Sequence, residues 1–279
     1  MFQNKISIEQ YQGILNQPHV IIDCRFQLSD TEAGRRAYQQ SHIPNALYAH
    51  LDEDCSGKIT PQSSRHPLPE VSVFLGKVAS WGINRDTQVV VYDDKTGGIA
   101  ARLWWMLKKI GVENTAILEG GFTGWQNAGL PVNHSKPAVK PVAIWSSIES
   151  WPVISTQDMM SMINDPTYLI IDARAAVRYA GLEEPIDPIA GHIPNALNRF
   201  HGENFDENGL LKPNSMLHAE YTKLLGNYKP ENIIFYCGSG VTSCTNVFAM
   251  EVIGMPGANL YAGSWSEWIR DPQRPIITK

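Results

Sequence analysis

No stretch of this sequence stays apolar for long enough to cross a bilayer, and no run of lysine and arginine marks a nucleic-acid-binding face. The formal net charge of −5 points the same way, because a polyanionic partner calls for the opposite sign. Cysteine is scarce: Cys24, Cys55, Cys237 and Cys244 follow no repeating spacing. Such usage excludes the disulfide-dense scaffold of small secreted domains, and the four read as free thiols. There is no C-x-x-C pair, no metal-ligand spacing and no glycine-rich nucleotide loop, so neither a metal nor another cofactor is expected. The first ten residues have neither the apolar core of a signal peptide nor the arginine-rich, acid-poor character of a transit peptide. A cytoplasmic, soluble protein with no membrane and no nucleic-acid partner is the expectation.

What is present is a repeat. With 279 residues, 43% of them apolar and 18% charged, the chain is globular in composition and long enough for two domains. Val20-Ile-Ile-Asp-Cys-Arg25 returns as Leu169-Ile-Ile-Asp-Ala-Arg174, and His42-Ile-Pro-Asn-Ala-Leu47 returns unchanged as His192–Leu197. Val89-Val-Val-Tyr-Asp93 is answered by Ile233-Ile-Phe-Tyr-Cys237, and Leu118–Trp125 by Tyr261–Trp268. Blocks that recur in the same order, half a chain apart, mean two copies of one domain. The expected division is an N-terminal domain over 1–133, a proline-bearing linker over 134–152 and a C-terminal domain over 153–279. Within each copy, short apolar runs alternate with helical patterns. Ile99, Leu103, Leu107 and Ile110 share one helical face, as do Cys244, Val247, Phe248 and Val252. The alternation predicts an α/β fold, each domain a mostly parallel sheet flanked by helices.

One residue stands out chemically. Cys237 ends an apolar strand and opens Gly238-Ser-Gly-Val-Thr242, after which the pattern turns helical. Open α/β sheets place ligands at the carboxyl ends of their strands. A glycine-containing loop before a helix points backbone N–H groups inward, and with the helix dipole it favours an anion. Cys237 is therefore expected to be an activated thiolate, with Gly238 and Gly240 supplying the required dihedrals. The matching position of the first copy is Asp93, so only the second copy carries the nucleophile. His42, His192 and the pairs Asp23/Arg25 and Asp172/Arg174 recur in both copies and are read as scaffold, not as catalysts. Cys244, on the apolar helix face, is read as core.

The duplicated blocks, the Asp-x-Arg and His-Ile-Pro motifs and the Cys-Gly-Ser-Gly-Val-Thr loop resemble the tandem-domain rhodanese superfamily, and within it the 3-mercaptopyruvate sulfurtransferases. The resemblance spans nearly the whole chain. It implies an enzyme that takes sulfur from a small-molecule donor onto Cys237 as a persulfide and passes it to a thiol, thioredoxin or cyanide. It also implies a relay of Ser239, His66 and Asp52, an arginine for the donor carboxylate at Arg178, and a donor cradle formed by Gly238, Gly240, Val241 and Thr242. Thiosulfate-type members typically carry cations in the loop where this chain has Gly238 and Ser239, which favours the monoanionic 2-oxo acid. A departure accompanies the match. The family's second arginine is missing from Leu182–Ile189, leaving Arg199 or Arg65 as substitutes. The alternatives are a thiosulfate:cyanide sulfurtransferase and a sulfur-relay module without turnover. A cysteine phosphatase is disfavoured, because Ser243 stands where that chemistry needs an arginine.

Overall fold

The computed structural model describes residues 1–145 and 148–278. The chain forms two compact units, each built on a parallel sheet covered by helices. The first comprises Met1–Gly57, Leu68–Trp151 and Glu207–Leu211, and the second comprises Lys58–Pro67, Pro152–Asp206 and Lys212–Lys279. The division differs from the one expected from the sequence in one way that matters below: residues 58–67 pack with the second half of the chain. The proline-bearing stretch packs with the first unit. Val142 N–H donates to Ala79 O at 3.0 Å, and the Trp151 indole donates to Pro69 O at 2.6 Å.

The first sheet contains β1 (Asn4–Ile6), β2 (Val20–Asp23), β3 (Leu47–Tyr48), β4 (Val89–Tyr92) and β5 (Thr115–Leu118), in the order β1-β5-β4-β2-β3. The second contains β6 (Leu169–Asp172), β7 (Leu197–Asn198), β8 (Ile233–Tyr236) and β9 (Asn259–Leu260), in the order β7-β6-β8-β9. All pairings within both sheets are parallel. The register repeats as well: Val20–Asp23 face Val89–Tyr92, and Leu169–Asp172 face Ile233–Tyr236. A parallel strand covered on both faces must be apolar throughout, and β4 and β8 are completely buried along their length. In the second unit the place of β1 is held by a single bond, Ile154 N–H to Leu260 O at 2.9 Å. The helix that follows starts the same way in both units, with a serine capping box at Ser7 and again at Ser155.

A buried polar knot recurs behind each central strand. Arg25 donates to both carboxylate oxygens of Asp23, and the Tyr92 hydroxyl donates to Asp23 Oδ2 at 2.9 Å while accepting from Ile43 N–H at 3.2 Å. In the second unit Arg174 grips Asp172 in the same way, and the Tyr236 hydroxyl accepts from Ile193 N–H at 3.2 Å. His42 Nδ1 sits 2.7 Å from Tyr38 O with its ring stacked on Tyr38, and His192 repeats this with Tyr179. These histidines hold backbone carbonyls. They are scaffold, because the same bonds form in the unit that has no cysteine after its central strand.

A charge this deeply buried is tolerable only while paired. Asp23→Ala, which strands Arg25, is therefore expected to cost about 3–5 kcal/mol in urea unfolding. Tyr92→Phe removes one hydrogen bond and should cost about 1–2 kcal/mol. Equal costs would contradict the role of Asp23 as counter-ion.

Candidate active site

Cys237 follows β8 directly and is 2% exposed. Its backbone is fixed on both sides: Trp265 N–H donates to Cys237 O at 3.0 Å, and Cys237 N–H donates to Ser264 Oγ at 3.1 Å. Ser264 holds a left-handed conformation, φ +55°, which a residue with a side chain adopts only when its surroundings enforce it. Here its hydroxyl does the enforcing, donating to Tyr261 O at 2.9 Å while accepting from Cys237. Neither Ser264 nor its bond was legible in the sequence.

The loop that follows uses its two glycines differently. Gly240 has φ +76°, and a Cβ there would lie 2.3 Å from Ala262 O, so both dihedral and space demand glycine. Gly238 has no positive φ. Its lack of a side chain leaves room for the ends of two arginines, since a Cβ would come within 2.8 Å of Arg65 Nη2 and 3.7 Å of both Nη atoms of Arg178. The expectation that both glycines serve the backbone dihedrals is thus corrected for Gly238. Val241 is 4% exposed, and its carbonyl accepts from Cys244 N–H at 3.1 Å. Thr242 then takes the N-cap position of the helix Ser243–Val252 without a side-chain capping bond.

Burial alone would raise the pKa of the Cys237 thiol. The Ser243 and Thr242 hydroxyls and the N–H groups of Ser239 and Ser243, gathered around the sulfur, more than offset it and hold the thiol below its ordinary value. The Ser243 hydroxyl is buried in the loop and meets hydrogen-bond geometry with no partner, sulfur included, among the described residues, so it acts on the thiol as a nearby dipole. Ser243, used in the sequence reading only against a phosphatase, lies among the polar groups that lower the thiol pKa, a place that reading missed. The other thiols behave oppositely. Burial and nearby carboxylates push Cys24 well up, and burial with Asp54 takes Cys55 to about 12. Cys55 is 3% exposed. Cys244 is fully buried against the loop, its Sγ 3.5 Å from Gly240 O.

The first unit contains an internal control. Asp93 follows β4 as Cys237 follows β8, and Phe122 N–H donates to Asp93 O as Trp265 N–H does to Cys237 O. Its side chain enters the loop and accepts N–H bonds from Lys95, Gly97, Ile99 and Ala100 at 2.8–3.3 Å. The cradle is therefore an anion receptor in both units. In one it is filled by a fixed carboxylate, in the other by a cysteine whose pKa is lowered.

Around Cys237, the second unit brings together His66, Ser239, Arg65 and Arg178. His66 Nδ1 and Ser239 Oγ are 2.7 Å apart, and both residues are 5% exposed. His66 is brought there by the segment Lys58–Pro67, which is anchored by Arg65 N–H to Ser266 Oγ at 3.1 Å. Asp52 lies in the first unit, on the short helix Leu51–Asp54, where its N–H donates to His50 Nδ1 at 3.2 Å. Arg178 is on the short helix Ala176–Tyr179 and its guanidinium is held by Glu184 and Asp187. Arg199, one of the two suggested substitute cations, is paired with Glu203 and Glu220 and lies over the Tyr221 ring. Arg65, the other, stands at Gly238.

The rate of Cys237 alkylation by iodoacetamide is expected to rise with pH through an inflection below that of an unperturbed thiol, because the thiolate is the reacting form. Ser243→Ala should move that inflection upward. An unmoved inflection would remove Ser243 from the groups that lower the thiol pKa.

The rhodanese-like domain family matches the chain twice, at residues 7–128 and 155–271. A probable 3-mercaptopyruvate sulfurtransferase of Pseudomonas aeruginosa is 38% identical over 98% of this chain and 97% of that protein. A putative thiosulfate sulfurtransferase of Mycobacterium tuberculosis is 34% identical over 93% of this chain and 90% of that protein. Among solved structures, 3-mercaptopyruvate sulfurtransferase from Leishmania major superposes with a TM-score of 0.83 at 28% identity, covering 95% of this chain and 74% of that one. Two matched copies, two parallel sheets of one topology and a nucleophile cradle at the end of the second central strand make this chain a member of the rhodanese-like domain family.

Proposed function

We propose that the chain is a sulfurtransferase that takes sulfur from 3-mercaptopyruvate onto Cys237. The observation that carries this reading is the buried Cys237 thiol held below its ordinary pKa inside a loop that has no cationic side chain of its own. Relatives named for the same reaction support it.

The Cys237 thiolate attacks the donor sulfur. The new S–S bond forms as the C–S bond breaks, and the electron pair leaves on carbon as the enolate of pyruvate. That enolate needs a proton. The Ser239 hydroxyl, backed by His66 at 2.7 Å, is the group in this unit suited to deliver it. Asp52 enters only through the family resemblance, as a carboxylate of that relay. Arg178 holds the donor carboxylate, and Gly238, Gly240, Val241 and Thr242 form the walls of the cradle. The Cys237 persulfide is then attacked at its outer sulfur by a thiol, by thioredoxin or by cyanide, and the thiolate returns. No metal or cofactor is required by this scheme.

A thiosulfate donor is the second reading. It is favoured by the two guanidinium groups standing over Gly238 and by the mycobacterial relative. Against it, both cations are neutralised by Glu184 and Asp187, which weakens the hold on a dianion more than on a monoanion.

The test is kcat/KM for 3-mercaptopyruvate and for thiosulfate with cyanide as common acceptor and Cys237→Ser as blank. A strong preference for 3-mercaptopyruvate is expected, and a preference for thiosulfate would transfer the assignment to the second reading. His66→Ala and Ser239→Ala are expected to lower kcat with 3-mercaptopyruvate by about 10²–10³. They should affect thiosulfate much less, because departing sulfite needs no proton. Asp52→Asn should give a smaller loss of the same kind.

A further inference from the structure

The segment Leu182–Ile189 contains no arginine but does contain two buried acids, Glu184 and Asp187, with side chains 4% and 3% exposed. They are held differently. Glu184 accepts from Arg178 Nε and Nη2, from Arg174 Nη1 at 3.2 Å, and from the N–H groups of Ile186 and Asp187. It is the fixed anchor of its turn. The Asp187 carboxylate is bound only through side chains, with Oδ2 accepting from Arg178 Nη2 at 3.2 Å and Oδ1 from Arg65 Nη1. One carboxylate thus bridges two guanidinium groups that start from distant points of the sequence.

Both guanidinium groups border the nucleophile loop. Arg65 Nη2 and Arg178 Nη1 are engaged by neither acid, and both lie beside the position a Gly238 Cβ would take. Arg65, Arg178, Glu184 and Asp187 together carry no net charge. A carboxylate bridging two arginines next to the reacting sulfur has the charge and fork geometry of a bound substrate carboxylate.

We infer that Arg65 is the second cation for the donor carboxylate, and that Asp187 is a built-in competitor bridging Arg65 and Arg178 until a 2-oxo acid donor replaces it. The inference rests on the sulfurtransferase reading above. It explains how the site works without an arginine between residues 182 and 189, because the segment that delivers His66 delivers the cation one residue earlier. It also assigns Asp187 a part in specificity. With Asp187 in place the cluster is neutral and can exchange one monoanionic carboxylate for another. Without it the cluster carries one positive charge and attracts a dianion disproportionately.

The experiment uses the full chain. Pyruvate, which keeps the donor's carboxylate and oxo group, is titrated calorimetrically into Cys237→Ser protein with and without Arg65→Gln and Asp187→Asn. The same two substitutions in the active protein are assayed with both donors. Arg65→Gln is expected to raise KM for 3-mercaptopyruvate by about 10- to 100-fold, with kcat changing far less and pyruvate binding weakening in parallel. Asp187→Asn is expected to tighten pyruvate binding and to raise kcat/KM for thiosulfate by a larger factor than for 3-mercaptopyruvate. The segment is anchored through the Arg65 backbone, which these changes leave intact. Arg65→Lys, which keeps the charge without the fork, serves as a second variant and should recover part of the loss. Unchanged KM and unchanged pyruvate affinity in Arg65→Gln, or weaker pyruvate binding in Asp187→Asn, would overturn the inference. Failure of the sulfurtransferase reading looks different: mass spectrometry would find no Cys237 persulfide after 3-mercaptopyruvate is added to the unaltered protein.

Discussion

A negative charge at the carboxyl end of the central strand is what each unit is built to hold. The loop after β4 directs four N–H groups at the Asp93 carboxylate, and the loop after β8 directs N–H and hydroxyl donors at the Cys237 sulfur. The donors exist because a parallel strand ends where a helix begins, leaving unpaired N–H groups that need an acceptor. What differs between the units is the chemistry of the anion. A carboxylate completes the cradle and is inert, whereas a cysteine completes it and, once ionised, has the chemistry of a nucleophile.

Behind the cradle, the buried Asp–Arg–Tyr knot fixes each central strand against its neighbour. Asp23 with Arg25 and Tyr92, and Asp172 with Arg174 and Tyr236, tie the ends of paired strands to the His-Ile-Pro turn. This knot accounts for the most closely repeated letters in the sequence without any catalytic task. A buried ion pair tolerates little substitution because removing one partner leaves the other charged and dry.

The surroundings of the thiolate come from well-separated parts of the chain. Residues 58–67 contribute Arg65 and His66, residues 176–187 contribute Arg178, Glu184 and Asp187, and residues 237–243 contribute the cradle. Two guanidinium groups border the reacting centre, yet two buried carboxylates cancel them. The result is a site that is polar and structured but close to neutral, next to a thiol whose pKa is lowered. A bare cationic pair there would lower the thiol pKa further and would bind small anions without discrimination.

The alternating pattern, the repeat and the strand–Cys–loop–helix order were legible because they are local. Periodicity sets which runs become strands, and a cysteine between an apolar run and a Gly-Ser-Gly turn has few places to go. His66 and Ser239 could be paired only through the resemblance, since nothing in their spacing brings them to 2.7 Å. Ser264 at φ +55°, the influence of Ser243 on the thiol, and Gly238 left bare beneath Arg65 were not legible at all. By itself, then, the sequence determined the two-copy α/β architecture and the nucleophile, which depend on neighbours within a few residues. Tertiary structure alone decided which cations and acids face that cysteine, because contacts such as Arg65 to Asp187 and His66 to Ser239 join segments more than a hundred residues apart, and no local pattern encodes the distance between them.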